Sequence, residues 1–584
     1  MSAAPRFGPL ITGNGVTFRL WAPGAKRVEL MLDAPKPMQP RDGWFELHVA
    51  EAKAGTRYSF QVDNEIEIAD PASHFQPDDV QGQSEVVDHG SFAWRTDWKG
   101  RPWEECVFLE THVGTFTPEG DYRAMMAKLD HLVETGITAL ELMPLADFPG
   151  RWNWGYDGVL LYAPDSTYGR PDDLKALIDA AHQRGLMVFL DVVYNHFGPE
   201  GNYLHRIAPK FFAEAQTPWG SAINYAVPEV RAFAIEYALH WLKHYRFDGL
   251  RLDAVHAITL PGESNVLTDL SKAVGHLARD TGRHIHLVLE NDDNASHFLA
   301  PETDPPAGQY RAQWNDDYHH AWHVLLTGEA TGYYGDYRDA AKHVARVLAQ
   351  GFAYQGESSP HRKGAKRGEP TDRLARTAFV NFLQNHDQIG NRPIGERLSA
   401  LTEPRAYDAA LAVLLLQPGP PLLYMGEEWG ATEPFPFFCD FSGELADAVR
   451  NGRKKEFAEH YAKHGDEIPD PLAQTTRDSA VLDWGALTKP HHAERLKLVR
   501  DLLRVRRDRV VPLLPKMKTA GEARFESDVL NVRWQAGDKY LAIFANLSGR
   551  SAPQPGLSPN ANVIWGEPDD QFAPWSVLAA VGGE

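Results

Sequence analysis

Cysteine is nearly absent: the 584 residues hold only Cys106 and Cys439, which excludes a disulfide framework. Cys106 opens an apolar run, where a buried free thiol is the usual state, and the scarcity fits a reducing compartment. A bridge between the two stays open, because separation along the chain says nothing about distance in space. No run of 18 apolar residues occurs, so no transmembrane helix is expected. The opening MSAAPRFGPL has no basic stretch leading into an apolar one, so a soluble cytoplasmic protein is expected. Positive charge is also in short supply. The 59 Lys and Arg against 79 Asp and Glu leave a formal charge of -20, which disfavours nucleic acid and anionic membranes as partners.

What the chain does hold is apolar surface: 43% hydrophobic and 11% aromatic residues, enough for a large core with satellites and so for two or three domains. Near the start, Val16, Phe18 and Leu20 fall on one face of a strand and Thr17, Arg19 and Trp21 on the other, before a turn at Pro23-Gly24. Val28, Leu30 and Leu32 repeat the alternation, as do Tyr58, Phe60 and Val62. Residues 1–95 therefore read as a small β-sandwich of the immunoglobulin-like kind.

From Cys106 onward, short apolar runs alternate with amphipathic helical stretches, the pattern of repeated βα units. Eight runs qualify as strands: Val107 to Glu110, Ala139 to Met143, Val188 to Val193, Gly249 to Asp253, His286 to Glu290, Ala312 to Asn315, Ala378 to Leu383 and Pro421 to Met425. Helices are expected over Asp121 to Glu134, Asp172 to Arg184 and Val230 to Tyr245, from apolar residues at three- and four-residue spacing. The fold class expected is α/β, a (β/α)8 barrel over 96–510, with an inserted subdomain near 197–228 that is too long for an ordinary loop. After a helix over Ala493 to Arg507, the strands Val529 to Trp534 and Tyr540 to Asn546 flank Gly537-Asp538, a hairpin signal that places a C-terminal β-sandwich at 511–584. The basic stretch His361 to Arg367 reads as a solvated loop.

In such a barrel the reacting groups stand at the C-terminal ends of strands. Four of these ends are unusual: Asp191 to His196, Arg251 to Asp253, Glu290 after its apolar run, and Gln384-Asn385-His386-Asp387. Any one alone reads equally as a cap or a satisfied buried polar group. Together they gather the carboxylates of Asp253, Glu290 and Asp387, two imidazoles and a guanidinium around one mouth, which stability alone does not explain. Glycoside hydrolysis needs this inventory, one carboxylate to attack the anomeric carbon and one carboxylic acid to protonate the leaving oxygen. Arg251, two residues before Asp253 on the same strand face, would keep that carboxylate ionised. Glu290, closing an apolar strand, would have its pKa raised by burial and keep a proton.

These four ends resemble the four signature regions of the α-amylase superfamily of glycoside hydrolases. The resemblance implies Asp253 as nucleophile, Glu290 as acid/base and Asp387 as the third essential carboxylate, with Arg251, His196 and His386 as sugar contacts. Tyr156, in Trp154-Gly155-Tyr156-Asp157, resembles the superfamily's aromatic stacking platform. Within the superfamily the likeness extends over nearly the whole chain to the members that release trehalose from maltooligosyl trehalose. It runs through Glu110 to Gly120, Trp314 to His320, Leu326 to Glu329 and Gln384 to Asn391. The run Pro434 to Asp440 resembles an aromatic segment near the leaving-group side, but Cys439 and Phe441 are atypical of it, so it is given no substrate contact.

The implied reaction is hydrolysis of the α-1,4 bond between a malto-oligosaccharide and a terminal trehalose, with retention, no cofactor and maltooligosyl trehalose synthase as functional partner. No catalytic metal is expected. Asn195 matches a position that ligates calcium in many α-amylases, yet the inserted segment offers no acidic cluster to complete an oxygen cage. A branching or debranching enzyme would share the barrel and the three carboxylates, but Gln388 to Asn391 departs from the branching pattern. A non-catalytic glucan-binding protein would have lost a carboxylate, and all three are present.

Overall fold

The eight apolar runs become eight parallel strands in the computed structural model, which describes residues 6–258, 265–300, 308–458, 468–517, 520–554 and 556–583. They close into a barrel in chain order. The strands are Phe108–Thr111, Ala139–Leu142, Met187–Val193, Gly249–Asp253, His286–Leu289, Ala312–Trp314, Phe379–Phe382 and Pro421–Tyr424. Every residue in them is buried. This is why they read as continuous apolar runs rather than alternating ones. Phe108 and Phe189, from strands that are not neighbours, meet edge-on with ring centroids 4.9 Å apart. With Ala139, Val288, Val380 and Leu422 they fill the barrel interior, so it is a packed core and the chemistry must sit above it.

The helices Pro171–Gln183 and Pro228–His244 each begin with proline, whose fixed φ and missing N–H suit the first helical turn. The single helix expected over Asp121 to Glu134 is two, Tyr122–Met126 and Leu129–Thr135. Asp121 caps the first through the Ala124 N–H at 2.8 Å. The Ala127 N–H then bonds back three residues to the Ala124 carbonyl at 3.2 Å. That tighter closure restarts the chain so that Leu129 and Leu132 are both fully buried.

Before the barrel lie two antiparallel sheets. One runs Leu10–Thr12, Gly15–Trp21, Trp44–Val49 and Gln39–Arg41; the other is built on Val28–Met31 and Arg57–Val62. They face each other through Phe18 and Tyr58, with ring centroids 4.7 Å apart. The outer face of the second strand is not the wet one that alternation suggests: Thr17 and Trp21 are buried. The inserted segment after the third barrel strand covers it. Phe211 packs against Trp21 at 6.3 Å, and the Ile207 carbonyl accepts from the Gly24 N–H at 2.9 Å. That segment carries a hairpin, Phe212–Thr217 with Gly220–Ile223. After the barrel, Glu522–Glu526, Val529–Ala536, Lys539–Asn546, Ser576–Gly583 and Asn562–Trp565 form a five-stranded sheet, its hairpin turning at Gly537-Asp538. Cys106 and Cys439 are both buried free thiols.

Gly249 opens the strand that carries Arg251 and Asp253, and it has no room for a side chain. A Cβ there would lie 2.2 Å from the Phe189 ring and 2.5 Å from the His286 carbonyl oxygen. Gly249→Ala is expected to lower unfolding stability by about 1–3 kcal/mol and to reduce kcat through the displaced strand. Urea unfolding and steady-state kinetics check it, and a variant as stable as wild type would show that the strand can shift.

Candidate active site

The centre of the barrel mouth is a cation. Arg251, on the fourth strand, is completely buried, and burying a guanidinium costs several kcal/mol unless its donors are matched. Here Nη1 donates to Asp191 Oδ2 and to Asp253 Oδ1, both at 2.7 Å, and Nη2 donates to Glu290 Oε2 at 2.8 Å. The Trp314 ring lies 4.0 Å from the guanidinium carbon and adds a cation–π contact from the side where no acceptor stands. The strand period places Arg251 and Asp253 on the same face, and parallel pairing with the third and fifth strands brings Asp191 and the end that carries Glu290 alongside.

The two carboxylates are held differently. Both oxygens of Asp253 accept, Oδ1 from Arg251 and Oδ2 from the Asn195 amide at 3.2 Å. On Glu290 both donors share Oε2, from Arg251 and from the Ala254 N–H at 2.8 Å. Oε1 makes no hydrogen bond among the described residues. Ala254 has φ 41° and ψ 47°, a left-handed conformation that costs a non-glycine residue about 1–2 kcal/mol and that turns its N–H onto Glu290. Burial outweighs the opposing Arg251 charge at both, so the carboxyls of Asp253 and Glu290 are raised above their ordinary values, against the expectation that Arg251 would dominate at Asp253.

His386 and Asp387 stand beside them at the seventh strand's end. Asn385 caps their short helix by accepting from the Asp387 N–H at 2.9 Å. The fully buried Glu110 binds the His386 Nδ1 through Oε1 and its backbone N–H through Oε2 at 3.1 Å. Burial opposes the imidazolium, but Asp387 and Glu110 outweigh it and raise the His386 pKa to about 9. Tyr156 stacks on His386, centroids 5.0 Å apart and planes 23° from parallel. Its hydroxyl donates to Asp191 Oδ2 at 2.6 Å. His196 is fixed by the Tyr156 carbonyl at 3.0 Å and by the Asn195 amide oxygen. Asn195, the position that invited a comparison with calcium sites, therefore uses both amide atoms on Asp253 and His196.

All seven expected residues, Tyr156, His196, Arg251, Asp253, Glu290, His386 and Asp387, meet here, and six of them line one pocket of about 620 Å³ above the buried Arg251. Several other lining residues escape a reading along the chain. Trp219, at the tip of the inserted hairpin, is 47% exposed and stacks on His196 at 5.5 Å. The basic stretch His361 to Arg367 is exposed over most of its length, as a solvated loop would be, but not at Arg362 and Arg367. Arg362 donates to Asp292 and Asp293 at 2.5 and 2.6 Å, and the buried Arg367 donates to Asp292 at 3.0 Å and to Asp317 at 2.7 Å. Both Arg362 and Arg367 line the pocket, because acidic residues far away in sequence neutralise them there. Asp316 also faces it, its carboxyl held well above the usual range by burial and by nearby Glu290. The aromatic run from Pro434 reaches the pocket through Phe437, while Cys439 is buried in a bridge to Asn153.

A family model for the alpha amylase catalytic domain matches residues 94–218, and one for carbohydrate-binding module 48 (isoamylase N-terminal domain) matches residues 6–73. A malto-oligosyltrehalose trehalohydrolase of Deinococcus radiodurans is 42% identical over 544 residues, covering 92% of this chain and 88% of its own. The chain belongs to the malto-oligosyltrehalose trehalohydrolase family. Trehalohydrolases of Saccharolobus solfataricus and Mycobacterium tuberculosis are 39% and 41% identical, covering 82% and 84% of this chain and 83% and 86% of their own. A 1,4-alpha-glucan branching enzyme of Corynebacterium jeikeium is more distant, at 26% over 73% of this chain and 62% of its own. Among solved structures, a putative alpha amylase from Salmonella typhimurium is 44% identical with a TM-score of 0.95, covering 99% of this chain and 100% of its own.

A raised His386 pKa makes the Glu110 pairing pH-dependent in a defined direction. A cation whose folded pKa of about 9 exceeds its unfolded value of about 6.5 adds stability that is complete below the lower value and lost as pH rises through the upper one. Removing one partner of a buried pair costs about 3–5 kcal/mol. The stability gap between wild type and Glu110→Gln should therefore be large at pH 6.5 and shrink by pH 10. A gap unchanged over that range, measured by denaturant unfolding, would mean that His386 is neutral throughout.

Proposed function

We propose that this chain hydrolyses the α-1,4-glucosidic bond joining a malto-oligosaccharide to a terminal trehalose, releasing trehalose with retention of configuration. The observation that carries it is the buried Arg251 guanidinium, which bonds one oxygen of Asp253 and one of Glu290 from a single fork. A retaining glycosidase needs its two carboxyls close, at about 5–5.5 Å, whereas inversion needs about 6.5–9.5 Å to admit a water between them. Two carboxylates on one guanidinium suit the close spacing.

The asymmetry of the hydrogen bonds assigns the roles. Asp253, with donors on both oxygens, is held as the carboxylate and serves as nucleophile. Glu290, with both donors on Oε2, keeps Oε1 free to carry a proton to the leaving group. An Asp253 oxygen bonds to the anomeric carbon as the glycosidic C–O bond breaks, and the departing trehalose oxygen takes the Glu290 proton. Glu290 then removes a proton from water, which attacks the same carbon and returns Asp253 as carboxylate. Asp387, 38% exposed in the pocket and 3.4 Å from His386 Nε2, holds the ring hydroxyls as positive charge develops. Tyr156 offers its face to the sugar, the His386 imidazolium donates to its hydroxyls, and His196, both of whose nitrogens are engaged, lines the pocket beside it. Each of these groups meets a sugar without a metal or cofactor.

The relatives named malto-oligosyltrehalose trehalohydrolase support the trehalose-bearing substrate. Such a substrate requires an enzyme that converts the reducing end of a glucan into trehalose, and maltooligosyl trehalose synthase is that partner. No described helix is long and apolar enough to cross a membrane, and a cytoplasmic site beside the glucan store is part of the same proposal. Chromatography of digests is expected to show trehalose released from maltooligosyl trehalose at least ~100-fold faster than any sugar from a malto-oligosaccharide of equal length, about 2.7 kcal/mol of discrimination. Equal rates, or branched products from amylose, would overturn the substrate assignment.

A further inference from the structure

Three histidines with no part in the pocket converge where the chain leaves the N-terminal sheets and crosses onto the barrel. His74 and His89 belong to that crossing segment, and His240 to the helix Pro228–His244. One ring nitrogen from each lies within 4.8 Å of the other two. The ring centroids are 4.6 Å apart for His74 and His240, and 5.1 Å apart for His89 with either neighbour. Four of the six nitrogens, His74 Nδ1, both of His89 and His240 Nε2, are buried without a hydrogen-bond partner. Buried polar atoms are rarely left so, because each orphan costs about 1–3 kcal/mol.

The chemical state of the rings suits a ligand that accepts lone pairs. Each ring keeps at least one nitrogen without a hydrogen-bond partner. A backbone hydrogen bond from the Tyr162 segment engages the His240 ring, and the unpartnered nitrogen is Nε2. That is the arrangement in which a carbonyl accepting from one ring nitrogen fixes the tautomer and leaves the other nitrogen free to ligate. The charge nearby is managed as well: Lys175, whose ammonium would repel a cation, is paired with Asp172 at 3.1 Å.

We propose that His74, His89 and His240 form a site for one borderline divalent transition metal, Zn2+ or its analogues Co2+ and Ni2+, that staples the N-terminal segment to the barrel helix. Three imidazoles with no thiolate and no carboxylate select these ions over calcium or magnesium. Zinc–nitrogen bonds of about 2.0–2.1 Å require the rings to close in from their present spacing. The fourth position falls to water or to His244, which stacks on His89 at 4.5 Å. Because none of these residues lines the catalytic pocket, the metal acts on stability and leaves the chemistry alone.

The test uses the full chain, purified without a histidine tag, stripped with chelator, equilibrated with Co2+ or Zn2+ and passed through a desalting column. Elemental analysis is expected to find one ion per chain in wild type and none in His89→Ala, with turnover of maltooligosyl trehalose unchanged in the variant. Bound Co2+ should show the intense visible absorption of a four-coordinate site, and Zn2+ should raise the thermal midpoint of wild type but not of His89→Ala. Wild type that retains no ion would overturn the proposal whether or not the variant folds. So would retention that is undiminished in His89→Ala, since the ion would then be held elsewhere.

Discussion

Everything at the barrel mouth is arranged around the need to keep one guanidinium out of water. Arg251 is fully buried, and a buried cation with unmatched donors is far more costly than the carboxylates that match it. Asp191, Asp253 and Glu290 each give it an oxygen, and Trp314 lies against it where no acceptor stands. In the reaction proposed above, the same contacts also serve catalysis. They set the spacing of Asp253 and Glu290, orient Asp191 to take the Tyr156 hydroxyl, and through Tyr156 fix the plane against which His386 stacks. Removing the cation would leave several carboxyls repelling one another in a low-dielectric pocket, so the fold and the site fail together.

Below that ring the acids continue. Glu110 holds His386 as a cation, and Glu141, on the neighbouring strand, has both oxygens buried without partners. Burial and the nearby Glu110 and Asp191 hold the Glu141 carboxyl well above its ordinary range. The strained Ala254 belongs to the same economy of position, since its left-handed turn supplies the N–H that fixes Glu290 Oε2 and leaves Oε1 free.

The barrel was legible because both faces of its strands are buried, which writes each strand as an apolar run that stops at a polar residue. Asp253 and Glu290 were legible for the same reason, each standing where such a run gives out, whereas Asp387 lies beyond its strand in the short helix His386–Gly390 and was picked out by the resemblance. Asp191 was less so: it lies inside Met187–Val193 with Val192 and Val193 after it, and its purpose appears only when Arg251 is seen beside it. Arg362 and Arg367 were misread as solvent-facing because neighbours in sequence share their charge, while the carboxylates that neutralise them, Asp292, Asp293 and Asp317, come from the segments that follow the fifth and sixth strands. Trp219 gave no periodic signal at all, being the tip of a hairpin in an inserted segment. Thr17 and Trp21 followed strand alternation faithfully, but that rule assigns faces, not solvent, and the inserted segment covers the face it left outside.

The central claim is that Arg251 holds Asp253 as nucleophile and leaves Glu290 to carry the proton. Glu290→Gln treated with an activated glycosyl fluoride, whose leaving group needs no proton, should accumulate the covalent intermediate, since the acid/base that activates water for its release is gone. Peptide mass spectrometry of the quenched protein is the measurement. The account predicts one glycosyl unit on the peptide that contains Asp253, carried by that side chain. A label on Asp387 or on any other carboxylate, or no label while the fluoride is turned over to the inverted sugar, would contradict it.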